Sequence, residues 1–226
     1  MTGLESGDAA WPAFWDVLLA MPLPPHVATP IAAPLDDEFD FLAEPAQQPA
    51  PLPIADETVP NPARLAQLAV FEARLPDLAQ AVVPLQEALR DDRRLDRLDA
   101  AGALWLFRVL LLAPAAAVPE HGALLRVIQR SARSPDPTLV ALAADVIAHL
   151  DARAAQLDLV ARLHADPRSL GHAGVDRVLA CLKQVADGRC VREMETLLVE
   201  RGADLSDVHA WQARHIVQVI RRAGRK

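Results

Sequence analysis

The chain has 226 residues, 52% of them apolar, and a formal charge of −7 at pH 7 that divides into −10 over residues 1–62 and +3 over residues 63–226, the first Lys or Arg being Arg64. Two cysteines exclude a disulfide scaffold, and the absence of Tyr with little Thr argues against a strand-rich fold. The apolar run 11–21 contains Pro12 and Asp16, lacks a basic flank and is too short to cross a bilayer, so neither a membrane protein nor a secretory leader is expected.

Twelve of the nineteen prolines fall in residues 1–62. This density opposes a packed domain, so these residues read as an acidic, Pro-rich arm and residues 63–226 as one helical domain. Within the arm, Pro12 suits the first turn of a helix and Pro22 ends it, which predicts a short helix over 13–21. Trp11, Phe14, Trp15 and Leu18 share one of its faces at i, i+3, i+4 and i+7. So short a helix needs a groove, either on a partner or on the chain's own first body helices around Leu65, Leu68 and Phe71. Next come Asp36, Asp37, Glu38, Phe39, Asp40, Phe41 and Leu42, acids interleaved with aromatics. Such a segment stays soluble and offers Phe39 and Phe41 as anchors for a basic groove, or else is a solvated linker. Residues 45–62, with Pro49, Pro51, Pro53 and Pro60, form an extended spacer at about 3.1 Å per residue.

The body is rich in Leu, Ala, Val and Arg and reads as all-α. Four helix pairs emerge when Leu85, Leu125, Leu157 and Met194 are aligned, at spacings of 40, 32 and 37 residues. Ala88, Ile128, Val160 and Leu197 then coincide on the first helix. On the second helix Ala101, Ala141, Ala173 and Ala210 align, followed by Phe107, Ile147, Leu179 and Ile216, and by Leu110, Leu150, Leu182 and Val219. The alanines are expected where two helices cross closely. Breakers lie between the paired helices: Asp91-Asp92, Ser134 to Pro137, Ala165 to Pro167, and Gly202 to Asp204. Asp, Ser and Pro there are expected to end the first helix and cap the second.

This succession, clearest over residues 187–223 and again over 134–150, resembles a HEAT-like repeat array across roughly residues 78–223. The resemblance implies an α-solenoid whose surface binds another macromolecule. It departs from the family where an arginine is common near the start of each second helix: Asp99, Leu139, Gly171 and Val208 stand there, which puts the family's polar ladder in doubt.

Chemistry is sparse. His26, His121, His149, His164, His172, His209 and His215 include no i, i+4 pair for zinc, and His209 and His215 diverge by about 240° around a helix. His149 is expected to pair with Asp145 one turn earlier. Cys181 reads as a half-buried structural thiol, and no phosphate loop or nucleophile elbow occurs. No cofactor, metal or catalytic residue is predicted. The acids Asp91, Asp92, Asp96 and Asp99 are interleaved with Arg90, Arg93, Arg94 and Arg97 and read as a solvated face.

Together these features predict a non-enzymatic, cytoplasmic adaptor or regulator. Its body grips a protein partner, and the arm serves as a second contact or covers the body. Arg126, Arg130, Arg133, Arg153, Arg162 and Arg177 are the candidate partner-binding residues of the body. The same arginines make nucleic acid the runner-up ligand, against which stand a body charge of only +3 and an acidic arm. An immunity-type inhibitor of a toxin is a further alternative. The excess of Arg over Lys, twenty-one to two, fits a GC-rich bacterial source.

Overall fold

Three side-chain caps hold helix starts in place, of which only Asp136 falls within a breaker expected to cap a helix; Asp99 was expected on a solvated face. The Asp99 carboxylate accepts from the Gly102 amide at 2.8 Å, Asp136 from Thr138 at 2.8 Å, and Ser206 from His209 at 3.3 Å. Each satisfies a donor that the first turn of a helix leaves open. The computed structural model describes residues 82–119 and 122–224, together with Trp15, residue 73, residues 75–77 and residues 79–80. The described residues belong to one compact unit, and they contain helices, short 3-10 turns and no strand.

The helices are α1 (Val82–Ala88), α2 (Asp92–Arg97), α3 (Ala100–Leu112), α4 (Gly122–Ala132), α5 (Pro137–Leu150), α6 (Gln156–Ala165), α7 (Gly171–Val185), α8 (Val191–Glu200) and α9 (Asp207–Ala223). Contacts run in two series. One joins α2 to α4, α4 to α6 and α6 to α8; the other joins α3 to α5, α5 to α7 and α7 to α9. Within pairs, α4 packs on α5, α6 on α7 and α8 on α9. The core lies between the series, where Trp105, Phe107, Leu110, Ile147, Leu159 and Leu163 are fully buried. α3 is buried on nearly all sides, which its run from Ala101 to Phe107, apolar but for Gly102, permits.

The sequence alignment of the pairs needs correction. Ala101 and Ala210 are buried, Ala141 is half-buried and Ala173 is exposed, so the four alanines do not share one environment. Leu157 and Val219 are likewise exposed where large buried residues were expected. The positions buried in all four second-series helices instead include Gly102, Leu139, Gly174 and His209; Ala103, Val140, Val175 and Ala210; Leu106, Ala143, Val178 and Ala213; Val109, Val146, Cys181 and Ile216; and Leu110, Ile147, Leu182 and Val217. Their spacings are 37, 35 and 35 residues. Part of the offset arises at the first pair, whose first-series member is the six-residue α2, not the Leu85 helix α1. Asp91 caps α2 by accepting from the Arg94 amide at 3.2 Å, so the supposed breaker starts a helix.

Polar side chains tie successive helices together at their C-terminal ends, where backbone carbonyls lack helical partners. In the first series, Arg130 donates to Leu98 O at 2.8 Å and to Asp96 O at 3.4 Å. Arg162 donates to Ser134 O at 2.8 Å, and Arg201 to His164 O at 3.1 Å and Ala165 O at 3.2 Å. In the second series, His149 Nε2 donates to Ala113 O at 2.9 Å and Gln184 Nε2 to Ala148 O at 3.0 Å. These links start from helix ends, and Asp99, Leu139, Gly171 and Val208, where the family's arginine was sought, supply none of them. Gly171 opens α7 at φ 64, and a Cβ on Gly174 would stand 3.2 Å from Leu170 Cβ, so both glycines answer a local backbone demand.

Candidate partner-binding surface

All six body arginines singled out from the sequence already hold an acceptor inside the chain. Arg126 meets Asp96 through two bonds of 3.1 and 2.9 Å, which hold the Asp96 carboxyl below its ordinary range. Arg133 grips the buried Asp158 carboxylate. Arg153 Nε spans both oxygens of Asp151 at 3.0 and 3.2 Å, and Arg177 donates to Asp145 at 2.6 Å. Arg130 serves the carbonyls named above. Arg162 is only 7% exposed and donates to Ser134 O, to Asp166 O at 2.9 Å and to Ser169 Oγ at 2.5 Å. Arg126, Arg130 and Arg133 fall at i, i+4 and i+7 along and just past α4, and Arg162 reaches the end of the same helix at Ser134 O, while Arg153 and Arg177 pair elsewhere. Asp145 is taken by Arg177, so the expected His149–Asp145 pair does not form, and His149 reaches Ala113 instead.

Of the arm residues, Trp15 is helical and 3% exposed. Trp11, Phe14, Leu18, Phe39 and Phe41 lie outside the described residues, as do the acidic element and the spacer.

Concave surface lies instead where the second-series helices end. A groove of about 600 Å³ is lined by Val118 and Pro119, by Leu125 and Ile128 of α4, and by Leu150 through Ala154 after α5. A second, of about 460 Å³, is bounded by Lys183, Asp187, Ile216, Val219 and Ile220. Arg153 lines both, so the two share one wall. That wall is strained: Asp151 caps α5 in the left-handed region at φ 51, the only non-glycine among the described residues to do so. Such a conformation costs about 1–2 kcal/mol for an ordinary side chain, less for Asp, and strained residues cluster at binding sites.

Charge along this edge is mostly balanced. Two bonds from Arg189 to Asp187 Oδ1 and Oδ2, at 3.1 Å each, and a third at 2.7 Å hold the Asp187 carboxyl well below the usual carboxylate range. Lys183 forms no ion pair among the described residues. Behind this edge, Gln156 Oε1 accepts from the Asp187 amide at 2.9 Å and from Cys190 Sγ at 3.1 Å. Burial pushes the Cys190 thiol up to about 11 and the Cys181 thiol to about 12, which marks both as structural rather than nucleophilic. Cys181 is fully buried, beyond the half-burial expected of it.

One cluster escaped the sequence reading. His209 is buried, with Nε2 3.0 Å from Asp176 Oδ1 and the His172 ring 5.2 Å away. These residues lie 33 and 37 positions from His209, beyond any spacing rule within one helix. Among the described residues no group of three or more His, Cys, Asp or Glu could hold a metal ion, and no helix is long and apolar enough to cross a membrane. Compared with known protein families, curated proteins and solved structures, the chain matches none.

Proposed function

We propose that the chain is a non-enzymatic adaptor or regulator, a HEAT-like stack of helix pairs that binds a protein partner along the edge carrying the two grooves. The observation that carries this reading is the pair of open grooves sharing Arg153, the first mixed in polarity and the second mostly apolar, which together offer an extended track rather than one closed pocket. The stacking reading is supported by the two contact series and by the links from each helix end to the helix before it. The acidic arm acts as a second contact or as a cover for the body, and the burial of Trp15 supports the covering role. Internal pairing of all six candidate arginines weighs against a phosphate-binding face.

The test compares capture of partners from source cells by the full chain and by a Leu125→Asp, Leu150→Asp variant, with helix content checked by circular dichroism. A protein held by the parent chain and lost by a folded variant is the expected result. Undiminished capture removes the grooves from the account, and retention on a polyanion matrix that falls steeply with salt would favour nucleic acid. Removing residues 1–62 tightens capture if the arm is a cover; unchanged capture discards that role.

A further inference from the structure

Both contact series run out at α8 and α9, and α9 leaves an apolar stripe in solvent. Val208, Trp211 and Val219 are 62%, 63% and 47% exposed. With His215 they fall at intervals of three, four and four, one face of the helix, and Arg222 follows one turn later. The Trp211 and His215 rings lie stacked, centroids 5.5 Å apart and planes 9° apart, so the stripe presents a flat aromatic centre.

We propose that this face is a two-fold dimer interface, with α9 packed antiparallel on α9 of a second copy. The stripe is nearly the same read in either direction about a point beside Ala213. Antiparallel pairing sets Val208 against the partner's Val219, Trp211 against the partner's His215, and Asp207 against the partner's Arg222. Each contact then occurs twice, as two-fold symmetry requires.

Charge selects this arrangement. Asp207 and Arg222 form no ion pair among the described residues, whereas the neighbouring Arg221 is committed to Glu195. Parallel pairing would set Asp207 against Asp207 and Arg222 against Arg222, and would align the helix dipoles. A uniformly acidic partner would meet Asp207. Asp207 and Arg214 lie on one flank of the stripe, about a quarter turn from its centre. Asp207 therefore reaches the partner's Arg222 from the edge of the contact, while Arg214, beside the two-fold, faces its own copy there and limits the dimer's affinity. One pair of helices 17 residues long is a modest contact, so the dimer forms and dissociates with concentration.

Sedimentation velocity of the full chain over a concentration series tests this, together with Asp207→Arg, Arg222→Asp and an equimolar mixture of those two variants. The parent chain is expected to shift from monomer to dimer. Each variant alone sets like charges together at both ends of the interface and weakens the dimer about tenfold or more. The mixture recovers it, because opposite charges again meet at both ends. Circular dichroism shows whether each variant keeps its helices, and Trp211→Ala supplies a charge-neutral variant that also weakens the dimer. A parent chain that stays monomeric at every concentration overturns the proposal. So does a dimer indifferent to all three substitutions, or a mixture no better than its components.

Discussion

Where a first-series helix ends, its link to the preceding helix is a guanidinium; where a second-series helix ends, it is an imidazole or an amide. Arg130, Arg162 and Arg201 each reach two backbone carbonyls, while His149 and Gln184 each reach one. Both series face the same difficulty, since the last four carbonyls of a helix have no partner within it. Arg answers it with several donors in a rigid fork, so one side chain serves two acceptors and holds two segments in register. The second series has less need, because α3, α5 and α7 already bury long apolar faces against one another. First-series helices at the two ends bury little: α2 buries only Leu95, and α8 only Met194 and Leu197.

The sharpest way to break this contrast is Arg162→Ala. The side chain is almost wholly buried, and its loss removes the donor to Ser134 O and Ser169 Oγ and leaves Asp166 O with the Ser169 hydroxyl alone. A loss of about 3 kcal/mol is expected in urea denaturation, since charge-assisted bonds from a buried guanidinium are among the stronger ones. Gln184→Ala removes one exposed amide link from the second series and should cost about 0.5–1 kcal/mol by the same measurement. Equal losses would erase the distinction between the two series.

Acid titration sharpens it further, through a smaller effect. The Asp187 carboxyl is held low in the folded chain chiefly by its Arg189 hydrogen bonds. Its contribution is therefore complete above the unfolded value of about 4 and is lost as pH falls from there through the folded value. The stability difference between the parent chain and Asp187→Asn should be constant near neutrality and shrink below about pH 4. A difference that grows on acidification has the wrong sign. Least of all, Asp151→Gly should raise stability by about 0.5 kcal/mol, since glycine accepts the left-handed cap without strain and the exposed Arg153 pair contributes little.

Much of the helical order was legible in the residues, and the reason is local. Asp136 announces a helix start from within its Ser-Pro-Asp-Pro breaker through a short-range hydrogen bond, whereas Asp99 and Ser206 cap their helices from outside the expected breakers. The register was less legible. α2 is six residues long and reads as a charged break, and 3-10 turns such as Arg153–Ala155 and Gly188–Cys190 absorb residues without a periodic signature. The long-range arginine links were illegible for a related reason. Arg130, Arg162 and Arg201 find acceptors 28 to 37 positions away, whereas charge patterning along one helix sees only three or four. The grooves gave no sequence signal, because their walls come from loops and helix ends brought together only by packing.

Native-state hydrogen exchange of Arg162→Ala against the parent chain tests most directly whether each helix pair is held chiefly by its neighbours. Stepwise stacking predicts faster exchange through α4, α5, α6 and α7, around the broken link, with amides of α9 unchanged. Acceleration of equal size in every helix, α9 included, would contradict it and make the body a single all-or-none core.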